Sequence, residues 1–549
     1  MCGKYRGLIR GWLVILPVLL AACGGGSSST PGMPGGGGNP PTGSGSVNVL
    51  TYHNDNARDG LNDQETVLTG ANVNSADFGK IGFFSMDGRV DAQPLYVSAL
   101  NVGGATHNVV FAASEHDSVY AFDADSGQVL WQVSLLGAGE TPSDDRGCNQ
   151  VSPEIGVTAT PVIDLSAGAH GTIYLVAMSK DANGNYFQRL HALDLTTGTE
   201  LAGSPVTVQA KYPGSGDNSS NGYVVFDPAQ YKERPGLLLL NGVVYTFWSS
   251  HCDNRPYTGW IIAYNQTTLA QTAVLDITPN GNEASIWASG AGPAADANGN
   301  IYFLAANGSF ETTLDANGFP VSQDYGNAFL KLSTAGGALA VADYFNMDNT
   351  VAESNIDQDL GSGGALLLPA ETDANGTLRH LAVGAGKDQN IYVVDTSNMG
   401  KFNPNNNDAI WQELPGGLGG SEFGMPAYFN GTLYYGAVDD VLRAFSFSQA
   451  KLSTTPVSQS ANSFVYPGTT PGISANGTTN GIVWAVENSN PAVLYAYDAA
   501  NLARELYDSN QAGTRDQFGA GNKFITPTIA NGKVYVGTTN GVAVFGLLH

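Results

Sequence analysis

Cysteine is scarce in this 549-residue chain, with four in all. Cys2 and Cys23 sit in the first 23 residues, which leaves Cys148 and Cys252 for the folded part and at most one disulfide there. Positive charge is also short: 23 Lys and Arg face 48 Asp and Glu, a net charge of −25. Such a surface repels polyanions, which excludes nucleic acid and anionic lipid as electrostatic partners. Long apolar runs are missing. Residues 11–20 (GWLVILPVLL) form a short one, well under the ~20 residues of a membrane-spanning helix. From residue 47 onward no stretch keeps a helical periodicity. No nucleophile elbow, P-loop, dinucleotide fingerprint or zinc motif is present, and the histidines are scattered without metal-ligand spacing.

What is present begins with an export signal. Lys4, Arg6 and Arg10 precede the apolar run, and small residues follow it. Leu20-Ala21-Ala22-Cys23 resembles the bacterial lipobox, which implies cleavage after residue 22 and lipidation of Cys23. Losing Lys4, Arg6 and Arg10 with residues 1–22 takes the net charge from −25 to −28. Residues 23–46 are the lipid-bearing cysteine and a Gly/Ser/Pro tract that behaves as a flexible tether. Membrane association is therefore expected through the lipid alone. Gly24 stands where inner-membrane lipoproteins often carry Asp, so the resemblance implies the outer membrane, with the periplasmic or surface side open. In an oxidising compartment Cys148 and Cys252 form a disulfide or stay as two buried thiols, the disulfide being the expectation.

Residues 47–549 read as one all-β domain. Short Val/Ile/Tyr/Phe/Leu runs alternate with Gly/Asn/Asp/Ser clusters. Asn-Gly at 241–242, 430–431 and 531–532 favours two-residue hairpins, because both residues tolerate positive φ. Asp-Ala-Asn-Gly occurs at 181–184, 296–299, 315–318 and 373–376; it lacks the full spacing of a calcium loop and reads as turn chemistry. A longer unit repeats eight times, starting at Pro94, Pro161, Pro235, Pro293, Leu366, Pro426, Pro471 and Pro527, with a mean step of about 62 residues. That step fits a four-stranded propeller blade with insertions. The eighth copy stops after its third strand, while residues 78–86 form an orphan strand before the first. Pairing the two would close a ring without a free sheet edge. The expectation is an eight-bladed β-propeller, seven blades being the alternative, and a monomer.

The first copy carries the sharpest motif: Ala121, Asp123, Gly127 and Trp131 within AFDADSGQVLW. This resembles the signature of pyrroloquinoline-quinone (PQQ) propeller repeats. The second copy keeps Ala192, Asp194, Thr197 and Gly198 without the Trp, and Trp411 is a second docking candidate. The resemblance implies a fold shared by quinoprotein alcohol dehydrogenases, which hold PQQ and calcium at the propeller centre, and by non-catalytic envelope lipoproteins. The adjacent Cys-Cys pair and the Cys-x-x-Cys-His motif of the dehydrogenase side are missing here.

Propeller topology brings the loops before each first strand, and those between second and third strands, to one face. Cys148 and Cys252 both fall there. So do His116 and Asp117 (a base with its neighbour, or a turn cap), Glu154 (a cation ligand, or a turn carboxylate), and Lys387 and Asp388 (a central ion pair, or groups facing a quinone). Trp260 and Trp287 stack on a planar ligand or pack in the core, and Glu422 completes the set. The expected function is a cell-envelope binding or scaffold module using this face for a protein, glycan or small molecule. The alternative is a PQQ- and calcium-dependent dehydrogenase of an alcohol or sugar; a third reading is an adhesion or assembly scaffold without a small ligand.

Overall fold

The three Asn-Gly pairs do what their φ tolerance allows. Asn241, Asn430 and Asn531 have φ of 52°, 46° and 51°, and the glycines that follow have 80°, 77° and 76°. Each pair joins a first to a second strand, such as Leu238–Leu240 to Val243–Ser250. The four Asp-Ala-Asn-Gly turns share another geometry. In each, Oδ1 of the Asp accepts the backbone N–H groups two and four residues on, at 2.8–2.9 Å. The aspartates are used up as turn caps.

The computed structural model describes residues 47–548; the signal segment, Cys23 and the tether lie outside the described residues. Eight sheets, each built on a four-stranded antiparallel core and several carrying extra edge strands, follow one another along the chain, with 43% strand and 3% helix. Their inner strands begin within three residues of the eight repeat starts, at Leu95, Val162, Leu238, Ala294, Ala365, Ala427, Gly472 and Thr528. The protein is a β-propeller of eight blades. In the eighth, Phe78–Ser85 pairs antiparallel with Gly541–Leu547, so the N-terminal strand closes the ring.

Neighbouring blades are held by apolar clusters that bridge two sheets at a time, and by docked tryptophans. Trp131 on the outer strand of blade 1 donates Nε1–H to Leu195 O of blade 2 at 2.9 Å. Its ring lies against Gly198, where a Cβ would come within 2.6 Å of it. Trp411 of blade 5 reaches Ala450 O of blade 6 in the same way. Asp123 caps the preceding turn through the N–H groups of Asp125 and Ser126, and Gly127 takes φ 75°.

The propeller axis is filled by the chain itself. Residues 47–65 form an irregular coil that visits the inner strand of every blade in ring order. Val49 exchanges backbone hydrogen bonds with Tyr96 of blade 1 (2.8 and 2.9 Å), and Leu50 O accepts Ile163 N–H of blade 2 (2.8 Å). Asn56 donates to Leu239 O of blade 3 and accepts from Ala295 of blade 4. The carbonyls of Ala57, Asp59 and Gly60 accept from Leu367, Tyr428 and Ile473 of blades 5, 6 and 7. Asn62 donates to Ile529 O of blade 8 (2.9 Å), completing the circuit. The coil starts beside Ser98, some way along the first inner strand, and climbs to His53 beside Gln93 at that strand's beginning. Residue 47 therefore stands toward the rim opposite the loop-rich face.

Arg58 is the hub of this coil. It is fully buried, and its guanidinium donates to Pro293 O, Thr51 Oγ1, Tyr52 O and Asp55 O at 2.7–3.1 Å, with a longer reach to Leu237 O at 3.4 Å. Burial lowers its pKa to about 10, so it stays charged at neutral pH. His53, Asn54, Arg58 and Gly60 all have positive φ, which lets the coil turn so tightly. At Gly60 a Cβ would lie 2.4 Å from the His53 imidazole, a contact only glycine avoids. Beside the coil, the Glu422 carboxyl is buried. Oε1 accepts Gly424 N–H at 2.6 Å, Oε2 has no partner, and burial pushes the pKa up to about 8.

Two outcomes follow. Arg58→Met leaves several buried acceptors unpaired and should cost at least ~3 kcal/mol in denaturant unfolding; a loss under ~1 kcal/mol would show that the coil does not brace the ring. Between the ordinary Glu value of 4.5 and about 8, folded Glu422 keeps a proton that the unfolded chain releases, so stability falls as pH rises through that window. Glu422→Gln should match the parent near pH 4 and exceed it by on the order of 3 kcal/mol at pH 9. An unchanged pH profile of unfolding would refute the assignment.

Candidate functional site

The loop-rich face opens into a funnel with a cavity volume of about 150 Å³. Its walls come from the loops preceding the inner strands of blades 2 to 8 and from two loops between second and third strands. The coil lies beneath it: Tyr52 packs in one cluster with Ala288 and Ala291, next to the lining residue Ser289. Five lining residues other than glycine have positive φ: Cys252 (50°), Asp253 (50°), Ser289 (43°), Asp357 (60°) and Phe524 (63°). Such strain gathers at ligand sites, where the surrounding structure holds it. Cys148 and Cys252 form a disulfide, with Cα atoms 5.3 Å apart, that ties the blade 2 and blade 3 loops at the wall. Closing a loop with a sequence separation of 104 removes roughly 4–5 kcal/mol of chain entropy from the unfolded state in the polymer model.

One wall is acidic. Lys387 Nζ sits 2.7 Å from Asp357 Oδ1 and 2.7 Å from Asp359 Oδ2. Burial raises the pKa of Asp359 to about 6 against the pull of Lys387. Burial opposes charge on Lys387 too, but the two carboxylates hold its pKa above the ordinary lysine value. Asp253 is also pushed up by burial, and accepts the Tyr257 hydroxyl at 2.8 Å. The other wall is cationic and aromatic. Arg234 Cζ lies 4.3 Å from the Phe524 ring centroid, Lys523 Nζ 5.7 Å from Tyr466, and Lys387 Nζ 5.8 Å from Phe423. Lys232 Nζ lies 4.9 Å from Trp287. Burial lowers the pKa of Lys232 to about 7, with Arg234 adding to the effect.

Of the side chains singled out from sequence, Trp287, Lys387 and Cys252 line the funnel. His116 and Glu154 meet each other away from it, Nδ1 to Oε1 at 3.0 Å. Asp117 is not bonded to His116: it is fully buried with both carboxylate oxygens unpartnered, and burial drives its pKa well up. Asp388 is occupied by the Tyr392 hydroxyl and Asn390. Trp260 is core, edge-on to Phe226 and donating to the Tyr231 hydroxyl. Glu422 is buried near the coil and is not part of the lining. Arg234 and Tyr466 escaped notice. Each immediately precedes a proline, and Arg234 stands directly before the repeat start Pro235, so the pre-strand loop rule applied there would have found it.

No family model matches the chain, and no curated protein sequence matches it. Solved structures do. The quinohemoprotein alcohol dehydrogenase of Comamonas testosteroni matches with a TM-score of 0.58 and 15% identity, over 91% of this chain and 80% of that one. A europium-containing methanol dehydrogenase gives 0.58 and 12%, over 91% and 98%. BamB from Moraxella catarrhalis gives 0.47 and 12%, over 86% and 98%. At these identities the likeness is one of fold. The quinone and calcium implied by the dehydrogenase side do not fit the funnel. Asp357 and Asp359, the carboxylates a cation would need, are taken by the Lys387 ammonium. Among the described residues no cluster of three or more His, Cys, Asp or Glu side chains forms a metal site. The cavity is also about half the lower bound of ~300 Å³ usual for drug-sized ligands. This chain shares the β-propeller fold of these quinoprotein dehydrogenases.

Proposed function

We propose that the protein is a cell-envelope binding module, lipid-anchored through Cys23, that takes a small molecule in its central funnel. The observation that carries this is the funnel itself. The coil converts an axial channel into a closed-bottomed cup, and loops from seven blades, strained in four of them, line it with aromatic and charged groups. Rigid walls with a few convergent polar groups are what a small-ligand site requires. The binding reading needs no metal, and the Lys387 pair supplies none of the open oxygen ligands that a calcium-dependent oxidation would demand.

Two experiments test it. Metabolic labelling should place palmitate on the protein and lose it in Cys23→Ser; unlabelled parent protein would refute the anchor. Thermal-shift screening of the purified protein against organic acids, amines, sugars, and PQQ with calcium should show stabilisation by at least one simple class. Tyr466→Ala, which removes a ring 37% exposed on the funnel wall, should weaken that stabilisation about tenfold. Dye reduction driven by PQQ and calcium with an alcohol or sugar would overturn the reading in favour of a dehydrogenase.

A further inference from the structure

Arg234 stands out among the buried cations. It is 3% exposed, lines the funnel, and its Nη1 is buried without a hydrogen-bond partner. Among the described residues it forms no ion pair, and neither do its neighbours Lys523 and Arg89, although the chain holds 48 acidic residues. Asp91 acts on both Arg234 and Lys523 at a distance, and Glu115 acts on Arg234 as well. By contrast Arg58, equally buried, is saturated with acceptors. A folded chain tolerates an unpaired buried guanidinium where something outside the chain supplies the partner.

The surroundings specify that partner. Phe423, Tyr466 and Phe524 pack together at 5.3, 6.2 and 6.5 Å between centroids, forming an aromatic ledge beside Arg234. The same lining holds Asp253, Asp357 and Asp359 against the single ammonium of Lys387. A polyanion spanning the cup would meet those carboxylates. A ligand with one negative charge at the Arg234 end and a flat apolar body on the ledge would not, and about 150 Å³ admits only a small one. We propose that the Arg234 end of the cup is an anion site for a small aromatic monocarboxylate, whose carboxylate pairs with Arg234 and whose ring packs against Tyr466, beside Phe524. This names the ligand class of the cup and rests on the binding-module reading.

The test uses calorimetry and thermal shift on the purified protein. The probes are sodium benzoate, 4-hydroxybenzoate and phenylacetate, with benzamide as the neutral isostere and inorganic phosphate as the ringless anion. At least one aromatic acid should bind saturably, with benzamide and phosphate at least tenfold weaker. Arg234→Gln should weaken the acid at least tenfold, while the unliganded variant melts at or above the parent temperature, because no partner is lost. Three results would overturn the proposal: equal binding by Arg234→Gln, phosphate binding tighter than the acids, or a variant that melts several degrees lower, which would reveal a structural partner for Arg234. If the acids fail but an amine or sugar gives a shift that Tyr466→Ala removes, the anion site falls and the binding module stands. If no compound binds, both fall.

Discussion

The structure depends on the backbone hydrogen bonds between the coil of residues 47–65 and the inner edges of the blades. A propeller solves the edge problem on its perimeter by circular closure, but each blade still presents the outward-bonding groups of its innermost strand to the axis. Here those groups are met by one segment that passes every blade once, in order, with Arg58 collecting carbonyls from two of them and from the coil itself. The same N-terminal region then leaves the axis and supplies Phe78–Ser85 to blade 8. Axis and perimeter are thus closed by residues 47–85, and both closures need blade 8, more than 430 residues downstream. Contacts this remote carry a large loop-closure cost before they contribute, which makes ring closure a late, cooperative event.

This arrangement lets the funnel be unfavourable on its own terms. A stiff frame of eight sheets, with a filled axis and a disulfide across two of its loops, can hold positive-φ residues and an unpaired guanidinium within one cavity, and beside its Trp287 a lysine whose pKa burial lowers to about 7. None of these stabilises the fold. Arg58 is saturated with acceptors, whereas Arg234 in the cup keeps an unpaired nitrogen. Glu422 and Asp117, outside the lining, also keep unpaired oxygens, and burial pushes both toward the neutral form.

Most of the ring was legible because turn chemistry and strand length are local. Asn-Gly pairs, the Asp-capped turns, eight repeat starts and an orphan strand sufficed for blade count and closure. The coil was not legible. Residues 51–63 (TYHNDNARDGLND) read as loop, since their order comes from partners up to 474 residues away and not from any periodicity. The site was half legible for a related reason. Topology named the loops, so Phe423, Phe524, Asp357 and Asp359 lay within the expected face. Which side chains turn inward depends on φ at single residues such as Phe524, and no pattern in the sequence encodes that. His116 and Glu154 were drawn to each other at the rim, and Trp260 to the core, by the same local packing.

Likeness of fold and difference of site meet at Lys387. A divalent cation between carboxylates and a protonated amine between carboxylates neutralise similar charge, yet only the first offers open coordination for polarising an oxygen. An ammonium offers directed donors and a fixed single charge. Placing it between Asp357 and Asp359 turns a potential coordination site into an internally satisfied ion pair and leaves the remaining positive charge of the cup on Arg234 across the cavity. On a shared frame, function follows from the groups a site leaves unpaired, and in this cup Arg234 Nη1 is one of them.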